Sequence, residues 1–148
     1  FGGRGTTDAV RTVNNSDGMD KTAEYRNRDF DGLCFVNLVD FDMLYGHRND
    51  AVGYAKALNE FSARLDDFIM KMRDDDVLFI TADHGCDPST PSTDHSREYV
   101  PLLVYGKKIK PVNLGTKPTY AYIAKTICDM LGVENSLAGE SLKSELLR

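Results

Sequence analysis

The chain has 148 residues, a formal net charge of −5, 41% hydrophobic residues and 28% charged ones. This balance describes a globular domain, or a large piece of one, and excludes a disordered tail. No uncharged apolar run is long enough for a membrane helix, and mild acidity without clustered Lys or Arg argues against a nucleic-acid partner.

The opening Phe1-Gly2-Gly3-Arg4-Gly5 lacks the basic start and apolar core of a signal peptide, and a first residue other than Met fits a processed or partial product. Residues 1–32 are polar and broken by Gly-Gly, Asn-Asn and Asp-Gly steps, which predicts loops or short strands and no core. Leu33-Cys34-Phe35-Val36-Asn37-Leu38-Val39 is short, apolar and β-rich, the pattern of a buried strand. From Asp50 to Arg73 the residues Ala51, Tyr54, Leu58, Phe61, Leu65, Phe68, Ile69 and Met72 recur at three- and four-residue steps, predicting a long amphipathic helix. Asp74-Asp75-Asp76 opposes the helix dipole at that end and predicts a turn.

Val77–Thr81 reads as a second buried strand and Val100–Tyr105 as a third, with Pro101 confined to its first residues or to an edge. Pro118 suits the first turn of a helix running to about Leu131 with Gly132 just past its end, and a short helix is expected over 139–147. Strands alternating with helices give an α/β fold, a layered sheet with helices packed on it. The cysteines Cys34, Cys86 and Cys128 are odd in number and irregularly spaced, which fits a reducing, cytoplasmic compartment better than a disulfide framework.

The three histidines each stand in a polar segment with a carboxylate nearby: Asp42 with His47, Asp83 with His84, and Asp94 with His95. Ligands of α/β sheets gather beyond the carboxyl ends of strands, where Asp40–His47 and Ala82–Gly85 fall. Carboxylate oxygen with imidazole nitrogen suits Zn²⁺, Mn²⁺ or Fe²⁺ in a mononuclear or dinuclear site. Against this, an Asp-His dipeptide is usually surface polarity, and Asp42 and His47 are five apart, not an α-helical same-face spacing. Asp40 reads either as a carboxylate orienting His47 or as a strand-end acid capping local amides, with the structural role preferred. Cys86 lacks a partner cysteine for a structural zinc and reads as a small buried residue. Ser89, Thr90, Ser92 and Thr93 read as loop, and Arg97 and Glu98 fit a local pair or a phosphate contact equally.

Asn37–Asp42 through Gly46-His47-Arg48, then Thr81-Ala82-Asp83-His84-Gly85, then Thr93-Asp94-His95-Ser96-Arg97-Glu98-Tyr99-Val100-Pro101-Leu102 resemble the phosphopentomutases of the alkaline-phosphatase superfamily. Gly3–Thr12 and Asp17–Thr22 look like that family too, so the resemblance spans essentially the whole chain. It implies an alkaline-phosphatase-like α/β core, here incomplete, and two divalent cations, Mn²⁺ in the family with Zn²⁺ also acceptable to the residues. Asp42, His47 and His95 would hold one ion, and Asp83 and His84 the other.

The resemblance also implies interconversion of ribose 1-phosphate and ribose 5-phosphate, or their 2-deoxy forms, through a phosphothreonine and a bisphosphate. The threonine, a further aspartate ligand and the pentose-binding cap belong to segments that nothing here resembles. The expected organisation is therefore residues 1–32 leading from a cap region and residues 33–148 forming the C-terminal part of the metal-binding core. The partners expected are a small pentose phosphate and the remainder of the same enzyme, with no membrane. Alternatives are another mutase or phosphatase of the superfamily, or a non-catalytic metal-binding domain. The Asp42–His47 spacing and the Asp94–Glu98 context favour the pentose enzyme.

Overall fold

Asparagine and aspartate compete with helices in their interiors but favour helix starts, and this decides the first element. The computed structural model describes residues 3–148; Phe1 and Gly2, the opening of the expected loop segment, lie outside them. Where loops or strands are expected, Asn15–Arg26 forms a helix, α1. The Asn14 side chain accepts from the Asp17 amide at 2.8 Å, and the Asp17 carboxylate accepts from the Val13 amide at 2.9 Å and from Lys21 at 2.7 Å. The Asn-Asn step is thus a helix cap, not a turn.

Two compact units divide the chain: Phe1–Asp29, Cys34–Lys71 and Asp83–Val100 form the first, and Phe30–Leu33, Met72–Ala82 and Pro101–Arg148 the second. In the first unit, the second helix, α2, spans Ala51–Met70, with Asp50 capping the Gly53 amide. Its inward stripe is Tyr54, Ala57, Phe61, Leu65 and Phe68, at three- and four-residue steps, while Ala51 and Leu58 lie off it and are exposed. The helix stops at Met70, short of the expected Arg73, and Met72 is buried beyond its end.

The expected strand over 33–39 is not one: its residues pair with no other strand among the described residues. Strand identity resides in ladder hydrogen bonds, and an apolar run cannot supply its own. Val36 and Leu38, two apart, instead reach α1 at Gly18, and the alternate Phe35 is 68% exposed.

In the second unit, β1 (Leu78–Thr81) and β2 (Leu102–Tyr105) pair antiparallel, with Leu78 opposite Tyr105 and Thr81 opposite Leu102. Pro101 immediately precedes β2, as its missing donor requires. Ile109, Leu142 and Leu146 are buried at the centre of this unit's core, against Phe79, Val104 and Tyr122. The third helix, α3, covers Ala121–Met130, starting three residues after Pro118 because the Thr119 hydroxyl accepts the Ala121 amide at 3.3 Å. Gly132, at φ +67°, ends it: the Val133 amide bonds back to the Cys128 carbonyl at 2.8 Å, the hydrogen bond of a Schellman motif. The last helix, α4, is Lys143–Leu146, shorter than the 139–147 expected. Helices and strands together make the chain α/β, with a two-stranded sheet among the described residues. No described helix is long and apolar enough to cross a membrane.

Lys21, then the Val13 amide, hold the Asp17 carboxyl below its ordinary 3.8. A group with a folded value below its unfolded one stabilises fully above the unfolded value and loses that effect as pH falls through the folded one. Acid below pH 3.8 should therefore weaken wild type more than Asp17→Asn. Urea unfolding across that range measures it, and parallel stability curves would contradict the assignment.

Candidate metal centre

The five-residue spacing of Asp42 and His47 becomes a same-face spacing because the backbone does not wind as an α-helix. Phe41–Tyr45 forms a π-helical turn and Gly46–Arg48 a 3₁₀ turn. A π turn bonds i to i+5, and such turns recur at functional sites. Its residues are held from both sides. Asp40 and Asn15 exchange hydrogen bonds, Asn15 amide to Asp40 carboxylate at 2.8 Å and Asp40 amide to Asn15 side chain at 3.0 Å. Phe41 packs on α2 against Tyr54 at 5.6 Å and edge-on to Phe61 at 6.2 Å. Asp40 is therefore structural, and Asp42, the residue after these two anchors, is directed towards His47 and His95.

His95 arrives from a different loop. The Ser96 amide donates to the Gly85 carbonyl at 2.9 Å, an isolated antiparallel bridge joining the Asp-His-Gly loop to the Asp94–Glu98 loop. Ser96 also donates to Glu98, while Asp94 accepts from the His95 amide at 2.8 Å.

Asp42, His47 and His95 come together. His47 Nε2 lies 3.4 Å from Asp42 Oδ2, His95 Nε2 lies 3.4 Å from Asp42 Oδ1, and the two Nε2 atoms are 3.1 Å apart. The three donor atoms fall within 4.8 Å of one another. Such separations match the edges of a coordination shell with bonds of about 2.0–2.2 Å. His47 Nδ1 lies 2.5 Å from the Thr93 carbonyl, which only accepts, so Nδ1 carries the proton and the Nε2 lone pair faces Asp42. Asp42 Oδ1 is buried without a hydrogen-bond partner, as expected of an oxygen reserved for a cation. One carboxylate oxygen with two imidazole nitrogens is a donor set for Zn²⁺, Mn²⁺ or Fe²⁺.

Asp83 and His84 stand beside this triad and not within it. The His84 ring stacks on His95 with centroids 3.7 Å apart and a 23° tilt. Its Nδ1 faces the Gly85 carbonyl at 3.1 Å and its Nε2 is 3.6 Å from Asp83 Oδ1, on a largely exposed carboxylate. Cys86 sits against the backbone at Gly46. Burial, then the Asp42 carboxylate, pushes its thiol above the ordinary value.

A protein-family profile described as the Metalloenzyme superfamily matches residues 2–135. The chain belongs to the Metalloenzyme superfamily. Among its curated relatives, it is 61% identical to the phosphopentomutase of Acetivibrio thermocellus, over 99% of this chain and 38% of that protein. It is 60% identical to that of Kosmotoga olearia with the same coverage, and 55% identical to that of Lachnoclostridium phytofermentans over 100% of this chain and 38% of the relative. The chain therefore spans under two fifths of the length of these relatives. The matched residues 2–135 of this Metalloenzyme-superfamily chain include the segments that carry Asp42, His47, Asp83, His84 and His95.

A Cβ at Gly85 would lie 2.8 Å from the Ser96 carbonyl oxygen and 2.9 Å from the Glu98 amide nitrogen, both backbone atoms. Gly85→Ala should open the bridge and cost about 1–3 kcal/mol, the range for overpacked sites. Chemical denaturation reads the loss; an unchanged midpoint would show that the loops are joined by other contacts.

Proposed function

We propose that this chain supplies the metal-ligand half of a phosphopentomutase active site, as the C-terminal portion of a longer enzyme. The observation that carries this reading is the convergence of Asp42 and His47 from one segment with His95 from another, in a chain 55–61% identical to phosphopentomutases. Asp42, His47 and His95 hold one divalent cation and Asp83 with His84 contribute to a second, Mn²⁺ in preference to Zn²⁺. Bound there, divalent cations neutralise phosphate charge and stabilise in-line phosphoryl transfer.

The chain's own residues do the rest. The Thr93 carbonyl keeps the His47 Nε2 lone pair directed inward. The Gly85–Ser96 bridge holds His84 and His95 in stacked register. Asp40 and Phe41 stop the Asp42 carboxylate from swinging out to solvent. The phosphorylated threonine and the pentose-binding cap belong to the remainder of the enzyme, with residues 1–32 leading from the cap into the core. The net reaction is cytoplasmic interconversion of ribose 1-phosphate and ribose 5-phosphate, or the 2-deoxy pair, through a bisphosphate. The remaining core strands complete a layered α/β sheet. Leu103 and Tyr105, alternate residues of β2, are 60% and 49% exposed, an outward apolar row suited to such cover.

Two measurements test this reading. Calorimetric Mn²⁺ titration of His47→Ala should show affinity reduced by more than about 100-fold, since losing an outer-shell partner alone costs about 10–100-fold. Equal affinity in His47→Ala would remove His47 from the ligand set. Pentose-phosphate interconversion by the isolated chain should be absent, because the group that carries the phosphoryl lies elsewhere; sustained turnover would refute the division of labour.

A further inference from the structure

Asn49 is the one non-glycine residue among those described with a positive φ, at φ 52° and ψ 33°. Side-chain carbons make this left-handed conformation unfavourable, so a residue held there is held by its surroundings, and such positions cluster at functional sites. Two interactions hold Asn49. Its amide nitrogen returns to the Gly46 carbonyl at 3.1 Å, closing the 3₁₀ turn that carries His47. Its side-chain Nδ2 donates to the Thr90 carbonyl at 3.0 Å, across 41 positions of chain.

His47, two residues earlier, donates from Nδ1 to the Thr93 carbonyl of the same loop. The turn therefore grips the loop leading to His95 at two main-chain carbonyls, Thr90 and Thr93. Within that loop, Asp87 accepts from the Ser89 amide at 2.8 Å and the Thr90 amide returns to the Asp87 carbonyl at 3.2 Å. Thr90 thus ends a locally closed turn, and Asn49 is what ties this turn to the metal-ligating segment.

We propose that Asn49 is a positioning residue of the metal centre: by clamping Thr90 it brings the Thr93 carbonyl to His47 and fixes the imidazole tautomer and orientation that aim Nε2 at Asp42. The inference rests on the metal reading above and deepens it. Glycine would accept the backbone but lacks the donor, and aspartate tolerates the backbone but sets a carboxylate against a carbonyl.

The test uses the full chain as wild type, Asn49→Gly, Asn49→Asp and Asp42→Ala. Long-range ¹H–¹⁵N NMR of the metal-free chain should report the Nδ1–H tautomer of His47 in wild type and a mixture of tautomers in Asn49→Gly and Asn49→Asp. Mn²⁺ titration should show Kd raised about 10–100-fold in both variants, while Asn49→Gly keeps wild-type thermal stability because glycine suits the left-handed backbone. A wild-type His47 signature and Kd in Asn49→Gly would overturn the clamp. Wild-type Mn²⁺ binding by Asp42→Ala would instead overturn the metal reading, and the tautomer comparison, made without metal, would still decide the role of Asn49.

Discussion

A carboxylate oxygen and two imidazole nitrogens crowded into one small space form a donor set that a divalent cation could hold together. With the two Nε2 atoms 3.1 Å apart and each 3.4 Å from an Asp42 oxygen, the donors face one another. Asp42 Oδ1 has no hydrogen donor of its own. Leaving a buried acceptor unpaired is unfavourable by about 1–3 kcal/mol, and a divalent cation removes that cost for all three groups together. The surrounding loops make sense as the means of keeping this arrangement from relaxing.

Each loop is tied by a contact that ignores the metal. Asn15 and Asp40 exchange amide hydrogen bonds, Phe41 wedges against α2, and the Ser96 amide closes on Gly85. The triplet Asp40-Phe41-Asp42 illustrates the economy: three successive residues point to a helix start, a helix face and a ligand cluster. An α-helix would place them about 100° apart and bring Asp42 back towards residues 45 and 46. The wider π turn that follows brings it to His47 instead.

How much of this was legible in the sequence differs by element. Long periodic segments read correctly: α2 and α3 show three- and four-residue stripes, and β1 and β2 are apolar runs beside turn residues. The grouping of Asp42, His47 and His95 was legible because the chain has only three histidines and each stands in a polar segment near an acid. Residues 15–26 were misread because Asn, Asp and Gly mark turns and helix caps alike, and only the Asn14–Asp17 hydrogen bond separates the two. Residues 33–39 were misread because pairing depends on a neighbour that an apolar pattern does not identify.

What stayed hidden at the site has a common physical cause. The groups orienting the histidines are the carbonyls of Thr93 and Gly85, which every residue possesses. A carboxylate in that role would have left an acid at a recognisable position, as Asp40 seemed to offer; a carbonyl leaves none. Orientation is then encoded in loop geometry, through a left-handed asparagine, an Asx-type turn at Asp87 and a glycine with no room for a side chain. A neutral carbonyl acceptor also has a consequence for the ligands. It orients the imidazole without adding a formal negative charge beside Asp42, so a cation held there would face a single carboxylate among these three residues.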